Sequence, residues 1–242
     1  MYIHNLEPVL VDLGFIAIRW YSLAYIFGIL LGWWLAKNII KTKFIVSKYK
    51  FSSIEFDDLI GYLIISMILG GRLGYIIFYN LDYYLINPSN IFKIWQGGMS
   101  FHGALIGIII GTYFFSLKKK INTFVLLDII SCVAPVGIFL GRLANFVNAE
   151  LIGKPTLMAW SVIYPQIDVQ PRHPSQIYEA LLEGVLLFLI LNLIIYKKEY
   201  LRGFCSSLFL IIYGFFRIFG EQFREPDSQI GYLFNFLSMG SL

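Results

Sequence analysis

Charge is what this 242-residue sequence has little of: Asp, Glu, Lys and Arg make up 14%, where soluble domains carry about 25%. So few charged side chains cannot wet the surface of a soluble protein of this length, which excludes an ordinary soluble domain. Cysteine is scarce as well. Cys132 and Cys205 are the 2 present, each inside an apolar run, so a disulfide framework is excluded and both read as small buried hydrophobes. The chain has no Cys/His metal set and no His-Glu-x-x-His motif, which argues against zinc hydrolysis. It has no Gly-rich phosphate loop to support nucleotide-driven transport, and no heptad or solenoid repeat. Apolar and aromatic residues are abundant instead, at 58% and 18%, and a mean hydropathy of +0.71 excludes disorder.

A helical membrane span needs about 20 predominantly apolar residues. Runs of this kind cover 21–36, 59–79, 102–117, 124–140, 178–196 and 204–220, which predicts an all-α polytopic membrane protein with about six transmembrane helices. The first run lacks the cationic lead and small-residue cleavage site of a signal peptide. Cations follow every odd-numbered run: Lys37, Lys41, Lys43, Lys48 and Lys50, then Lys118, Lys119 and Lys120, then Lys197, Lys198 and Arg202. The positive-inside rule places these loops in the cytoplasm and the N-terminus outside. The net charge of +4 therefore reports orientation, and no nucleic-acid partner is expected. Residues 1–18 are expected to lie along the outer membrane surface, and 141–177 to form a small outward-facing loop or head region. The whole chain, 1–242, reads as one transmembrane domain.

The other cations, Arg19, Arg72, Lys93, Arg142, Lys154, Arg172, Arg217 and Arg224, fall on the outward side or at outward span ends. Charge in such places is costly and marks functional candidates, and arginine forks suit an anion such as a phospholipid phosphate. Four stretches carry most of the candidates. Gly141–Gly153 holds Arg142, Asn145, Asn148 and Glu150 after a run interrupted by Pro135 and Gly137, which predicts a kinked or broken helix there. Gly97–Ala104 offers Ser100 as a helix cap and His102 behind it. Pro171–Glu179 contains Arg172, His173 and Glu179, with Pro174 in a first-turn position. Tyr213–Asp227 places Tyr213, Arg217, Glu221 and Arg224 along one helix face. Each has a plainer reading: a snorkelling arginine at a polar helix end, an interfacial histidine, a capped terminus, a salt-bridge ladder. Gly70–Tyr75 adds Arg72 among glycines that favour tight helix packing, and Arg19-Trp20-Tyr21 opens the first span.

The Gly141–Gly153 stretch resembles the signature of bacterial prolipoprotein diacylglyceryl transferases. Gly97–Gly103, Pro171–Glu179, Leu69–Tyr75, Trp20–Tyr21 and Tyr213–Asp227 are similar to that family in the same order along almost the whole chain. The resemblance implies transfer of the diacylglyceryl group of phosphatidylglycerol to the thiol of the lipobox cysteine in a prolipoprotein, with glycerol phosphate released. It implies the bacterial inner membrane, a site facing the outer or periplasmic side, and no metal or nucleotide cofactor. By that resemblance Arg142 and Arg217 clamp the phosphate and His102 is the candidate base, with important roles for Tyr21, Asn145, Glu150, Gly153 and Tyr213. Arg72 and Arg224 join the expected lipid-binding set, and Asn148, Glu221 and His173 are further candidates. Glu150 is expected to orient an arginine and not to act as the base. The family usually has a second glycine after His102-Gly103, where this chain has Ala104. The family also usually has a seventh span, which this chain is expected to lack at its C-terminus. The loop 154–172 is short for the family. A small transporter or lipid flippase is the alternative, but such proteins hold polar residues near the midplane, often within inverted repeats. A lipid-stabilised scaffold is a third reading, and it would not require His102.

Overall fold

The computed structural model describes residues 1–14, 17–42, 51–196, 201–226, 232–233 and 237–238. Lys43, Lys48, Lys50, Lys197, Lys198, Asp227 and most of the stretch after it lie outside the described residues. The chain forms two compact units, Met1–Ala36 with Ile130–Leu242, and Lys37–Ile129. Among the described residues, six helices are long and apolar enough to cross a membrane. They are α1 (Trp20–Thr42), α2 (Ser53–Tyr79), α4 (Phe101–Lys119), α5 (Thr123–Val147), α6 (Ser175–Ile195) and α7 (Phe204–Glu221), with a short α3 (Leu81–Ile86) after α2. Each hydropathic run is shorter than its helix because polar residues at the rims remain helical.

In the unit of residues 37–129, Ser52 caps α2 in a reciprocal box with Glu55. Helices α2 and α4 meet along a seam of small residues, as Gly70 and Gly74 predict. A Cβ added to Gly70 would stand 2.3 Å from the Gly103 carbonyl oxygen, and one on Gly107 2.2 Å from that of Ser66. Only glycine permits backbones this close, which replaces hydrophobic driving force with dense packing inside lipid. Ala104 fits because it faces Gly71, whose added Cβ would lie 3.6 Å from the alanine methyl. At the lysine-bearing end Lys37 pairs with Asp57 at 3.0 Å and Lys119 with Asp58 at 2.8 Å.

In the other unit α5 runs through Pro135 to Val147 as one helix, without the break that the sequence allowed. Nearby, the Asn192 amide donates to the Cys132 carbonyl at 2.8 Å, a polar tie between spans. Gly28 on α1 lies against Gly137, 3.2 Å from a built Cβ to its Cα. Neither Cys132 nor Cys205 forms a disulfide, and both are buried.

The head region contains strands that hydropathy did not reveal. β1 (Tyr2–Ile3) pairs in parallel with β4 (Val162–Ile163), which pairs antiparallel with β5 (Pro171–Arg172); β2 (Val9–Asp12) and β3 (Ala17–Arg19) form a hairpin. Tyr232–Leu233 and Leu237–Ser238 make a last antiparallel pair, β6 and β7. Ala149, Val162 and Tyr164 form a small core under the head with Phe146 and Ile152 against it. His4 is buried there, with Nε2 donating to the Phe146 carbonyl at 2.8 Å and Nδ1 accepting from Gln166 at 3.1 Å.

Candidate active site

Helix α6 opens with Ser175, whose hydroxyl donates to the Leu151 carbonyl at 2.9 Å and so ties the helix start to the Glu150 loop. After Glu179 the backbone widens into a π-helical stretch, Ala180–Leu186, before α geometry resumes. Gly184 lets α5 come close, since a Cβ there would meet that of Phe139 at 2.6 Å. Such π segments are recurrent at functional sites. Here the segment carries Glu183, one turn from Glu179, and both carboxylates are fully buried.

These carboxylates gather the arginines of α5 and α7. Arg142 Nη1 lies 3.0 Å from Glu179 Oε2, while its Nε and Nη2 donate to Glu183 Oε2 at 3.2 and 2.9 Å. Arg217 Nη1 donates to Glu179 Oε1 at 2.7 Å, and Nη2 lies 3.1 Å from Glu221 Oε2 one turn along α7. Arg224 Nη1 approaches Glu179 Oε1 at 3.7 Å. Glu179 therefore bridges arginines on two helices, one through each oxygen. Tyr213 stands beside Glu183, Arg142 and Arg217, with its ring stacked on Phe209 at 5.6 Å. Buried ion pairs of this kind survive only with close geometry and several hydrogen bonds, and removing one partner from such a pair typically costs about 3–5 kcal/mol.

A second polar group follows the end of α5. Asn145 donates to Glu150 Oε2 at 2.9 Å and Asn148 to Oε1 at 3.3 Å. The Tyr21 hydroxyl neighbours Asn145 and the Glu150 carboxylate. Glu150 was expected to orient an arginine; it instead accepts from two amides, and the carboxylates on Arg142 and Arg217 come from α6 and α7. Ala149 and Leu151 on either side adopt φ of 52° and 54°, left-handed geometry uncommon for residues with a Cβ. Gly153 admits the backbone of His173, whose carbonyl oxygen would lie 2.1 Å from an added Cβ.

The remaining candidates divide. Arg72, expected to bind lipid, donates to the carbonyl oxygens of Asn90, Ile91, Lys93, Gly97 and Gly98 and sits over the Tyr84 ring. In this geometry it pins the 90–98 loop. His102 occupies the first turn of α4, in the unit of residues 37–129, with its ring edge against Phe101. Ser100 caps that turn by accepting from the Gly103 N–H at 3.2 Å. Arg172 braces the head, donating to Asp168, to Glu225 and to the Gly153 carbonyl. Its guanidinium holds the Asp168 carboxyl below the usual carboxylate range. His173 packs edge-on to Phe223 at 5.3 Å, and its Nδ1 lies 3.3 Å from the Tyr178 hydroxyl. Burial lowers its affinity for a proton.

Glu183 escaped the sequence reading because it interrupts a single apolar run without a motif around it. A carboxylate inside a span was the available signal. Glu179 was noticed, but nothing in its spacing named its partners. Among the described residues no His, Cys, Asp and Glu group is arranged to hold a metal ion.

A family model for prolipoprotein diacylglyceryl transferase matches residues 8–242. A Rickettsia typhi protein named phosphatidylglycerol–prolipoprotein diacylglyceryl transferase is 48% identical over 100% of this chain and 93% of its own length. A Rickettsia felis protein of the same name is 48% identical over 98% of this chain and 91% of its own. The chain belongs to the prolipoprotein diacylglyceryl transferase family.

Proposed function

We propose that the chain transfers the diacylglyceryl group of phosphatidylglycerol to the thiol of the lipobox cysteine of a prolipoprotein, releasing glycerol phosphate. The observation that carries this reading is the buried bridge of Glu179 between Arg142 and Arg217 in a chain of this family. In the reaction a sulfur–carbon bond forms as the bond between that carbon and the phosphate oxygen breaks. The thiol proton passes to a base, and negative charge grows on the departing phosphate. A cysteine thiol is mostly protonated near neutral pH, so a base is required, and His102 is the candidate. Arg142 and Arg217 stabilise the departing phosphate. Their guanidinium groups are already held by Glu179, Glu183 and Glu221, so little reorganisation is needed as charge develops. Asn145, Glu150 and Tyr21 form the adjoining polar wall, and Gly153 keeps the head loop close to it.

In this reading residues 1–242 act as one catalytic domain in the bacterial inner membrane. The lysine-rich loops face the cytoplasm and the arginine cluster opens to the outer side, which the positive-inside rule supports. The test is incubation of the purified chain with phosphatidylglycerol and a lipobox peptide. Glycerol phosphate release with a diacylglyceryl mass gain on the peptide cysteine is expected. An unmodified peptide under conditions where the protein remains folded would refute the proposal.

A further inference from the structure

Glu183 presents an asymmetry that the charge pairing leaves unexplained. Its Oε2 receives both contacts from Arg142, whereas Oε1 is buried and has no hydrogen-bond partner among the described residues. A carboxylate oxygen enclosed without a donor is costly in protein, and more so at membrane depth. Two other buried atoms share the condition, with less consequence. Glu179 Oε2 lies 3.0 Å from the Arg142 guanidinium and is matched in charge, and Asn148 Oδ1 belongs to a neutral amide. Nor can Glu183 readily withdraw, because the adjacent Gly184 is packed against Phe139. The groups facing it are Arg142 from α5, Glu179 from its own helix, and Arg217 and Tyr213 from α7.

We propose that Glu183 Oε1 accepts a hydrogen bond from a hydroxyl of the lipid headgroup, which makes Glu183 a specificity-determining residue for hydroxylated headgroups. The inference rests on the reading above, in which Arg142 takes the lipid phosphate. A phosphate on that guanidinium brings the headgroup glycerol, only a few bonds from phosphorus, to the carboxylate that holds the same guanidinium. A site built around a buried acceptor rejects an analogue that lacks the donor, because the acceptor is then left unmatched. A hydroxyl donor could also be supplied by water, and the experiment separates the two sources.

The experiment compares kcat/KM of the full chain for phosphatidylglycerol and for phosphatidylethanol, which has the same charge but no headgroup hydroxyl, with one lipobox peptide. Wild-type protein should prefer phosphatidylglycerol about tenfold or more. Glu183→Leu should lower turnover of both lipids through Arg142 and bring their ratio close to one. Glu183→Gln, which preserves volume, should lower the ratio at least about threefold, because a neutral amide is the weaker acceptor. A purely structural Glu183 would depress both lipids equally and leave the ratio at its wild-type value in the variants, which overturns the proposal. Equal use of both lipids by the wild type also overturns it, as a water donor would serve both alike. If Glu183→Leu does not fold, the wild-type and Glu183→Gln ratios decide. No turnover of either lipid by folded wild-type protein would instead refute the reaction proposed above.

Discussion

Arg142 and Arg217 approach Glu179 from separate helices and occupy different oxygens of its carboxylate, at 3.0 and 2.7 Å. That arrangement uses the planar fork of arginine, because Arg142 must reach Glu179 from one side and Glu183 from the other. A lysine in its place is a single point of charge and cannot span both. Arg142→Lys should therefore lower glycerol phosphate release on the order of 100-fold, mainly in kcat, since fixed cations act on charge that develops in the transition state. A change in KM alone would assign Arg142 to ground-state binding. His102 and Glu150 separate in a similar way. Glu150 accepts from Asn145 and Asn148, a structural pairing that a glutamine can partly keep. His102→Gln should abolish turnover while Glu150→Gln stays within about tenfold of wild type, a span set by general-base contributions of 10²–10⁴. The reverse order would make Glu150 the base.

At the scale of elements, Gly153 and the head loop couple fold to site. The approach to His173 leaves no room for a methyl group, so Gly153→Ala should destabilise the protein by about 1–3 kcal/mol, read as a lower thermal midpoint in detergent. The head should also be sensitive to acid. Asp168 titrates below its ordinary 3.8 and His173 below its ordinary 6.5, so the fold binds fewer protons than the unfolded chain at both places. Stability is full above these ordinary values. It declines first as pH drops below about 6.5 and His173 is driven to protonate, then again below about 4 as Asp168 loses its pairing with Arg172. Proteolysis of the 154–172 loop across pH should show both steps, and Asp168→Asn should remove the lower one. The spans were legible in the sequence because bilayer thickness demands long apolar runs, and the Gly70–Gly74 packing because only small residues allow backbones so close. The π stretch of α6 was not, since backbone register leaves no mark on side-chain pattern. Nor was the β1–β4 pairing, which joins Tyr2 to Val162 across most of the chain.

For the whole molecule, scarcity of charge is the organising fact. Lysines follow the odd-numbered spans, and the arginines that depart from that pattern divide into two kinds of work. Arg142, Arg217 and Arg224 converge on Glu179, while Arg72 and Arg172 brace loops. Sequence could find all five as misplaced cations but could not sort them, because the sorting depends on which carboxylates and carbonyls the fold brings near. The four-residue spacing made the Arg217–Glu221 pair legible, but not the match of the cluster by Glu179 and Glu183 of α6. The central claim is that this cluster couples departure of glycerol phosphate to formation of a thioether on a peptide. Its most direct test is the stoichiometry of the two products with a lipobox peptide and with the same peptide carrying serine for cysteine. The account predicts one glycerol phosphate released per peptide modified, and none with the serine peptide. Release that continues without a cysteine would mark a phospholipase, and lipid movement without release a flippase; either would contradict it.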